Sequence, residues 1–274
     1  MQLQFTKMHG AGNDFMLLQW PADTPLPEPA LIRRWADRRR GIGFDQLLVL
    51  AEDHDADVDG EYRIFNADGT EVEQCGNGVR CIAAFVCAGT DRKALRLASP
   101  SGLVEARLLE GGEVSVNLGV PNFSPDSAFL VGEQEGNRYR LAISGSDVEF
   151  GAVSLGNPHA VIAADSVDSA PVGILGEAFQ SQPLFPHGVN VGFMEILERT
   201  RIRLRVFERG VGETPACGTG AAAAVVVGQR WGQLDASVRV ELPGGTLGVD
   251  WQGPEDPVWL SGLATSVYEG RLTL

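Results

Sequence analysis

The sequence predicts an α+β fold of two pseudo-symmetric domains, each a curled β-sheet around a buried central helix, with the site of chemistry in the cleft between them. Three observations favour this fold: an internal duplication, two apolar runs of small residues at equivalent points of the two copies, and many short β-rich segments separated by glycine, proline and asparagine. The 274 residues, 44% of them hydrophobic, are enough to bury a substantial core.

The duplication consists of three matches in nearly one register. Gly12-Asn13 recurs 144 positions later as Gly156-Asn157, and Gln46 is answered by Asn190 at the same offset. The longest match has an offset of 142 and pairs Phe65, Asn66, Glu71 and Cys75-Gly76-Asn77-Gly78 with Phe207, Glu208, Glu213 and Cys217-Gly218-Thr219-Gly220. One short match could be chance, whereas three in the same order indicate two homologous halves.

Each Cys-Gly-x-Gly segment precedes an apolar run that we predict to be helical. The runs extend from Val79 to Ala88 and from Ala221 to Val227, and each is followed by a glycine, Gly89 or Gly228, which we take as its end. Because both runs are apolar nearly all round, we expect two buried central helices.

Short strands account for much of the remaining sequence. The predicted strands are Leu95 to Leu97, Leu103 to Leu109, Glu113 to Leu118, Val238 to Leu242 and Thr246 to Val249. The segment Val120 to Pro125 is the best candidate for a linker, so we predict an N-terminal domain of residues 1–118 and a C-terminal domain of residues 119–263.

The charge balance excludes some classes of partner. A formal net charge of −14 repels phosphate backbones and anionic lipids. The one dense basic group, Arg33, Arg34 and Arg38 to Arg40, is read as the solvated face of a helix. The N-terminus has no signal-peptide pattern and no segment has the length of a membrane span. We therefore expect a cytoplasmic protein that binds neither nucleic acid nor membranes.

The four cysteines are expected to be thiols and not metal ligands. They form no CxxC motif, and the acidic run around His54 lacks the spacing of a calcium loop, so no metal site is predicted. Cys81 and Cys87 are interpreted as inert core residues. Cys75 and Cys217 each begin a predicted helix, where unpaired N–H groups and the helix dipole should lower the thiol pKa from about 8.5.

Two such cysteines can invert a carbon. Inversion removes a proton from one face and delivers another to the opposite face, which a thiolate and a thiol can do together. The neighbouring glycines let the same helix starts bind a carboxylate. We therefore predict cofactor-independent inversion of an amino-acid α-carbon by Cys75 and Cys217.

Polar side chains near the repeated positions are the candidate substrate ligands. Five amides can bind ammonium and carboxylate groups or, equally, brace turns: Asn13, Gln46, Asn66, Asn157 and Asn190. Glu208-Arg209 replaces Asn66-Ala67 of the first half, and this asymmetry suggests a second charged end on the substrate. His159 could tune a thiolate or stabilise a turn. His9 and His187, expected in loops, receive no role.

Five motifs together resemble the diaminopimelate epimerase family along the whole chain: Lys7 to Phe15, Phe65 to Gly69, Cys75 to Cys81, Gly156 to His159, and Glu208 to Gly220. The resemblance implies interconversion of LL- and meso-diaminopimelate in lysine and peptidoglycan precursor biosynthesis, without pyridoxal phosphate or metal. It implies that Cys75 and Cys217 are the acid–base pair and that His159 and Glu208 modulate them. The substrate-binding positions it implies are Asn13, Gln46, Asn66, Gly76, Asn77, Asn157, Asn190, Glu208, Arg209, Gly218 and Thr219. It also implies a homodimer with Tyr268 at the interface and a final segment, residues 264–274, that returns to the first domain.

Two other functions compete with this interpretation. A proline or hydroxyproline racemase of the same fold would also use two cysteines, but its substrate offers no distal charge for Glu208-Arg209. A thiol redox protein would join Cys75 and Cys217 in a disulfide, but neither has a resolving cysteine in a CxxC motif.

Overall fold

The computed structural model describes residues 2–21, 24–51, 57–72, 75–124, 130, 136–143 and 145–273. Two compact units are present: Met1–Asn117 with Ser261–Leu274, and Leu118–Leu260. His54 and Pro125 lie outside the described residues. The rest of the predicted linker, residues 120–124, belongs to the second unit, where the backbone of Asn122 pairs with that of Ser154.

The described residues form a mixed α/β structure dominated by strands, as the sequence predicted. The helices are α1 (Pro29–Ala36), α2 (Gly76–Cys87), α3 (Val172–Gln180) and α4 (Gly218–Arg230). The strands are β1 (Gln2–Gly10), β2 (Asn13–Trp20), β3 (Gln46–Ala51), β4 (Gly60–Asn66), β5 (Glu71–Val72), β6 (Ala94–Ser99), β7 (Gly102–Leu108), β8 (Glu113–Asn117), β9 (Tyr139–Ile143), β10 (Ser146–Ser154), β11 (Pro158–Ala163), β12 (Asn190–Glu198), β13 (Arg201–Glu208), β14 (Gly212–Thr214), β15 (Ser237–Leu242), β16 (Gly245–Asp250), β17 (Trp259–Leu263) and β18 (Thr265–Thr273).

The two units have the same strand pairing, which confirms the duplication. In the first, β2 pairs in parallel with β3, β3 antiparallel with β4, and β4 with β5 and β6. In the second, β11, β12, β13, β14 and β15 repeat this pattern. Even the registers correspond, because Phe15 opposite Gln46 becomes His159 opposite Asn190 at the offset of 144.

An ion pair is repeated together with the strands. Arg63 donates from Nε and Nη2 to the two carboxylate oxygens of Glu71 at 2.6 and 2.8 Å. Arg205 donates in the same way to Glu213, at 2.7 and 2.9 Å. Each pair joins a long strand, β4 or β13, to the short strand after it, β5 or β14, so the duplication preserves side-chain geometry as well as topology.

The C-terminal strand belongs to the first unit. β18 pairs antiparallel with β1 from Gln2 opposite Thr273 to His9 opposite Thr265. In the second unit the strand beside β10 is β9, which directly precedes it in the chain. In the first unit, β18 occupies the corresponding place beside β1.

The central helices are buried, as predicted, but the structure corrects three details. Gly228 lies inside α4, which continues to Arg230; a Cβ there would sit 2.4 Å from Cδ1 of Leu234, so this glycine permits close packing and does not end the helix. The basic group is not one helical face, because α1 ends at Ala36, before Arg38. His9 lies within β1 and not in a loop. Within the described residues, no helix has both the length and the apolar character needed to cross a bilayer.

Candidate functional site

Cys75 is the N-cap residue of α2, in extended conformation, so the predicted helix start is confirmed. The N–H groups of the first helical turn have no partners within a helix, and no side chain caps this end. Gly78 lies in that turn, and a Cβ at this position would be only 2.9 Å from Cδ2 of Leu48. This glycine lets α2 pack on β3, which carries Leu48.

Three predicted amides of the first unit are fixed by their neighbours, and one of them contacts Cys75. Asn13 donates from Nδ2 to Asp45 at 3.1 Å, and its Oδ1 accepts from Sγ of Cys75 at 3.7 Å. Gln46 donates to Oδ1 of Asn66 at 3.0 Å, and Asn66 donates to Thr70 at 3.2 Å. The first unit therefore brings a thiol and amide groups together at the ends of β2, β3 and β4.

Asn77 is held by a buried arginine that the sequence analysis did not single out. Arg80 has no exposed surface, and its Nη2 donates to Oδ1 of Asn77 at 2.9 Å. Its Nε and Nη1 find no acceptor among the described residues. Burial lowers the pKa of Arg80. The corresponding position of the second unit, at the offset of 142, is Ala222, so only one of the two central helices carries a buried cation.

Cys217 is the N-cap residue of α4 and is 5% exposed. Its sulfur lies 3.7 Å from Oγ1 of Thr219. A Cβ at Gly220 would be 3.3 Å from the sulfur, so glycine here leaves the Cys217 side chain its space. The helix start is confirmed, and the side chain is more enclosed than that of Cys75.

The expected lowering of the Cys217 pKa is wrong. Burial, followed by the charge and hydrogen bond of Glu208, raises the pKa of Cys217 well above the ordinary thiol value, and the N–H of Gly220 and hydroxyl of Thr219 oppose this only in part. Glu208 is itself held by Thr214, whose hydroxyl donates to Oε1. Dehydration of a thiolate and repulsion from a carboxylate thus exceed the helix-dipole effect.

His159 is neutral and bonded to an amide. It is 1% exposed, and its Nε2 lies 3.0 Å from Oδ1 of Asn157. Asn157 in turn donates to Oγ1 of Thr219 at 3.2 Å. Burial, with a smaller contribution from Arg209, lowers the pKa of His159 to about 3. The bonds seen for His159 connect it to Asn157 and, through Thr219, to Cys217.

Asn190 braces the backbone, one of the alternatives considered for the amides. It donates from Nδ2 to the carbonyl of Pro158 at 3.1 Å and accepts from the N–H of Arg209 at 2.9 Å. Arg209 donates to the carbonyl of His187 at 3.1 Å. Asn190 therefore orients the Glu208-Arg209 segment.

The predicted site residues fall into two groups, one in each unit. The first unit holds Asn13, Gln46, Asn66, Cys75, Gly76, Asn77 and also Tyr268; the second holds Asn157, His159, Asn190, Glu208, Arg209, Cys217, Gly218 and Thr219. Tyr268 is 46% exposed on β18 and packs edge-on against Phe5, with ring centroids 6.0 Å apart. In the described part of the chain, no three His, Cys, Asp or Glu residues group as metal ligands would.

Four residues that position these groups were missed as site residues: Asp14, Asp45, Arg80 and Thr214. Asp14, Arg80 and Thr214 stand inside segments that the motifs already marked, namely Lys7 to Phe15, Cys75 to Cys81 and Glu208 to Gly220, and Asp45 directly precedes Gln46. Each breaks the correspondence between the halves, and a search for such breaks, like the one that singled out Glu208-Arg209, would have found them.

Comparisons with known proteins agree with one another. A family model described as diaminopimelate epimerase matches residues 5–124 and 151–267. Relatives named diaminopimelate epimerase include one from Ectopseudomonas mendocina, 49% identical, and one from Nitrosomonas europaea, 50% identical; each alignment covers 100% of both chains. Both relatives are similar to this chain from end to end.

Solved structures show the same fold at low identity. A hydroxyproline epimerase from Agrobacterium vitis has a TM-score of 0.68 at 15% identity, covering 99% of this chain and 92% of that one. A probable proline racemase from Agrobacterium radiobacter has a TM-score of 0.68 at 16% identity, covering 99% and 93%. At these identities the likeness concerns the fold alone.

Proposed function

The chain belongs to the diaminopimelate epimerase family, and on that premise we propose that it interconverts LL- and meso-2,6-diaminopimelate with Cys75 and Cys217 as its acid–base pair. The observation that carries the proposal is the duplication of a thiol at the start of a buried helix, at equivalent points of two units with the same topology. The chain is an isomerase by family, and this duplication provides the two proton carriers that inversion needs.

The proposed reaction has two proton transfers. The thiolate of one cysteine takes the α-proton, so that a C–H bond breaks and an S–H bond forms. The other thiol then gives its proton to the opposite face of the carbanion, forming the new C–H bond and leaving a thiolate. The two cysteines end with exchanged protonation states, and the reverse reaction restores them.

The surroundings of the two sulfurs support an assignment of the resting proton. Burial and Glu208 raise the pKa of Cys217, which favours the thiol form. Cys217 then acts first as the acid, and Cys75 acts first as the base. The direction that begins from the other stereoisomer uses them in reversed roles.

The substrate ligands follow from the two groups of polar residues. We propose that the first-turn N–H groups at Gly76, Asn77, Gly218 and Thr219 bind the carboxylate beside the reacting carbon, which also stabilises the carbanion. Glu208 and Arg209 would bind the ammonium and carboxylate of the distal end. The amides of Asn13, Gln46, Asn66, Asn157 and Asn190 would complete the polar contacts, and His159 and Glu208 would modulate the thiols.

Deuterium incorporation at Cα in heavy water tests the two-cysteine mechanism. We expect wild-type enzyme to epimerise LL-diaminopimelate with incorporation, and Cys75→Ala and Cys217→Ala each to lose epimerisation. Cys81→Ala is the matched control, because Cys81 is a fully buried thiol of α2, and it should retain activity. Full exchange in either of the first two variants would argue against two bases.

Substrate choice is tested by assaying LL-diaminopimelate beside proline. A monocarboxylic ring leaves the Glu208-Arg209 pair without a partner, so we expect turnover of diaminopimelate only. Turnover of proline alone would overturn the substrate assignment and favour the proline or hydroxyproline class of the same fold.

We further propose that the enzyme works in the cytoplasm as a homodimer, without pyridoxal phosphate, and supplies lysine and peptidoglycan precursor synthesis. The exposed Tyr268 on β18 supports the choice of interface. Sedimentation of wild type and Tyr268→Ala tests it: we expect a dimer for the wild type and a shift toward monomer for the variant. An unchanged dimer in the variant would place the interface elsewhere.

A further inference from the structure

Four charged residues interlock where β2 and β3 begin. The backbone N–H of Asp14 donates to Oδ2 of Asp45 at 3.1 Å, and that of Asp45 donates to Oδ1 of Asp14 at 3.0 Å. Arg38 donates to both carboxylates, at 2.7 Å in each case, and Lys7 donates to Asp14 and to the carbonyl of Gly43. The side chain of Asp45 is therefore held from two sides.

The Asp45 carboxylate determines which way the Asn13 amide faces. A carboxylate only accepts hydrogen bonds, so the amide nitrogen of Asn13 must point toward it, as it does at 3.1 Å. The amide oxygen is thereby turned toward Cys75, whose sulfur lies 3.7 Å from it. With the amide reversed, an N–H group would face the sulfur and stabilise thiolate instead.

The second unit has no counterpart of this cluster. At the offset of 144 the positions of Asp14 and Asp45 are occupied by Pro158 and Val189. Asn157, the counterpart of Asn13, gives its oxygen to His159 and its nitrogen to Thr219. Cys217 has the Glu208 carboxylate as its neighbouring acceptor. Among the described residues, an amide oxygen thus faces Cys75 and a carboxylate faces Cys217, and different neighbours hold these two acceptors in place.

We propose that Asp45 is a positioning residue: it turns the Asn13 amide so that Cys75, when it carries a proton, has a hydrogen-bond acceptor. This inference rests on the proposed function, in which Cys75 must hold a proton in one direction of the reaction. A thiol kept as a permanent thiolate by its helix start would be a weak base and a poor acid, and the amide oxygen counters that tendency.

Within the described residues, the ionisable groups that interact electrostatically with Cys75 include Tyr62 on β4 and Arg80 and Cys81 on α2. Burial raises the pKa of both Tyr62 and Cys81 to about 12, so these groups stay neutral while Cys75 titrates. Arg80 keeps its charge throughout that range. Because replacing Asp45 alters none of these three groups, they do not account for a shift in Cys75 titration in an Asp45 variant.

The test measures the alkylation of Cys75 by iodoacetamide against pH, with mass spectrometry, in a Cys217→Ala background that removes the other proposed reactive thiol. We expect Asp45→Asn, which lets the amide turn round, to lower the apparent pKa of Cys75 by about half to one unit. Alkylation below that pKa should then be about three- to tenfold faster. If circular dichroism shows that Asp45→Asn does not fold, the same measurement is made on Asp45→Ser.

Two comparisons separate this role from a structural one. Asp168→Asn removes an exposed carboxylate that binds Arg203 through both oxygens in the second unit, and it should leave the Cys75 profile unchanged. In Asn13→Ala, the Asp45→Asn shift should shrink, because the amide that transmits it is gone. An unchanged or raised pKa in folded Asp45→Asn, or a full shift without Asn13, would overturn the inference. No substrate is present, so a failure of the proposed epimerisation appears separately, as wild-type enzyme without Cα exchange.

Discussion

Replacing Glu208 by glutamine should lower the pKa of Cys217. The two side chains have the same shape, and the amide oxygen of glutamine can still accept from Thr214, so packing is preserved while the negative charge disappears. The charge and hydrogen bond of Glu208 are, after burial, the causes that raise the Cys217 pKa. The amide N–H that replaces a carboxylate oxygen would also stabilise the thiolate.

The size of the effect follows from Coulomb's law. Two charges about 4 Å apart, within hydrogen-bonding reach of a sulfur, interact by about 4 kcal/mol at an effective dielectric constant of about 20, which corresponds to about three pKa units. Glu208 is half-buried and accepts a hydrogen bond from Thr214, and both solvent and this bond weaken its interaction with the sulfur. We therefore expect a fall of about one to two units, or an alkylation rate about 10- to 100-fold higher at neutral pH.

The assay is iodoacetamide alkylation of Cys217 against pH, read by mass spectrometry in a Cys75→Ala background. Glu213→Gln is the matched control, because Glu213 is a carboxylate of the same unit that pairs with Arg205 and should not affect the sulfur. In the enzyme with both cysteines, Glu208→Gln should also shift the pH profile of turnover. An unchanged or raised Cys217 pKa would refute the conclusion that Glu208 keeps this thiol protonated.

Three further predictions concern stability and positioning. Gly176→Ala should destabilise the protein by about 1–2 kcal/mol, because its Cβ would lie 2.3 Å from Cγ of Phe207. The control Gly173→Ala, in the same helix, meets nothing within 4 Å and should be neutral or stabilising by about 0.5 kcal/mol, so equal melting temperatures of the two variants would contradict this prediction. The pKa of His159 is lowered from 6.5 to about 3, so between these values the unfolded state binds one more proton than the folded state. Over this range, the contribution of His159 should lower the free energy of unfolding by about 1.4 kcal/mol for each pH unit of acidification, and His159→Gln should remove that contribution from denaturant titrations. Arg80→Met should change the free energy of unfolding by less than about 1 kcal/mol, because the cation that it removes is buried and partly unpaired. The variant should still reduce kcat/KM by about tenfold or more, because Asn77 loses the hydrogen bond that holds it, and a large stability loss with normal kcat/KM would refute the positioning role.

Much of the fold could be predicted from local sequence signals. The small-residue runs after Cys75 and Cys217 gave both central helices, and alternating segments bounded by turn residues gave the strands from β6 to β8 and β15 to β16. At Gly228, a packing contact overruled the local rule that glycine ends a helix. Gly228 has the look of a helix end, but Leu234 packs against it and α4 continues for two more residues.

The sequence by itself determined that Cys75 and Cys217 occupy equivalent positions of two similar halves, because a duplication is visible in spacing and residue type without any coordinates. It also determined that the halves differ at Glu208-Arg209. Only the tertiary structure decided how each thiol is tuned. The carboxylate beside Cys217 and the amide beside Cys75 lie on strands, nine and 62 positions earlier in the chain. A thiol pKa depends on dehydration and on charges a few ångströms away, and neither quantity is encoded in the local pattern that marks a helix start.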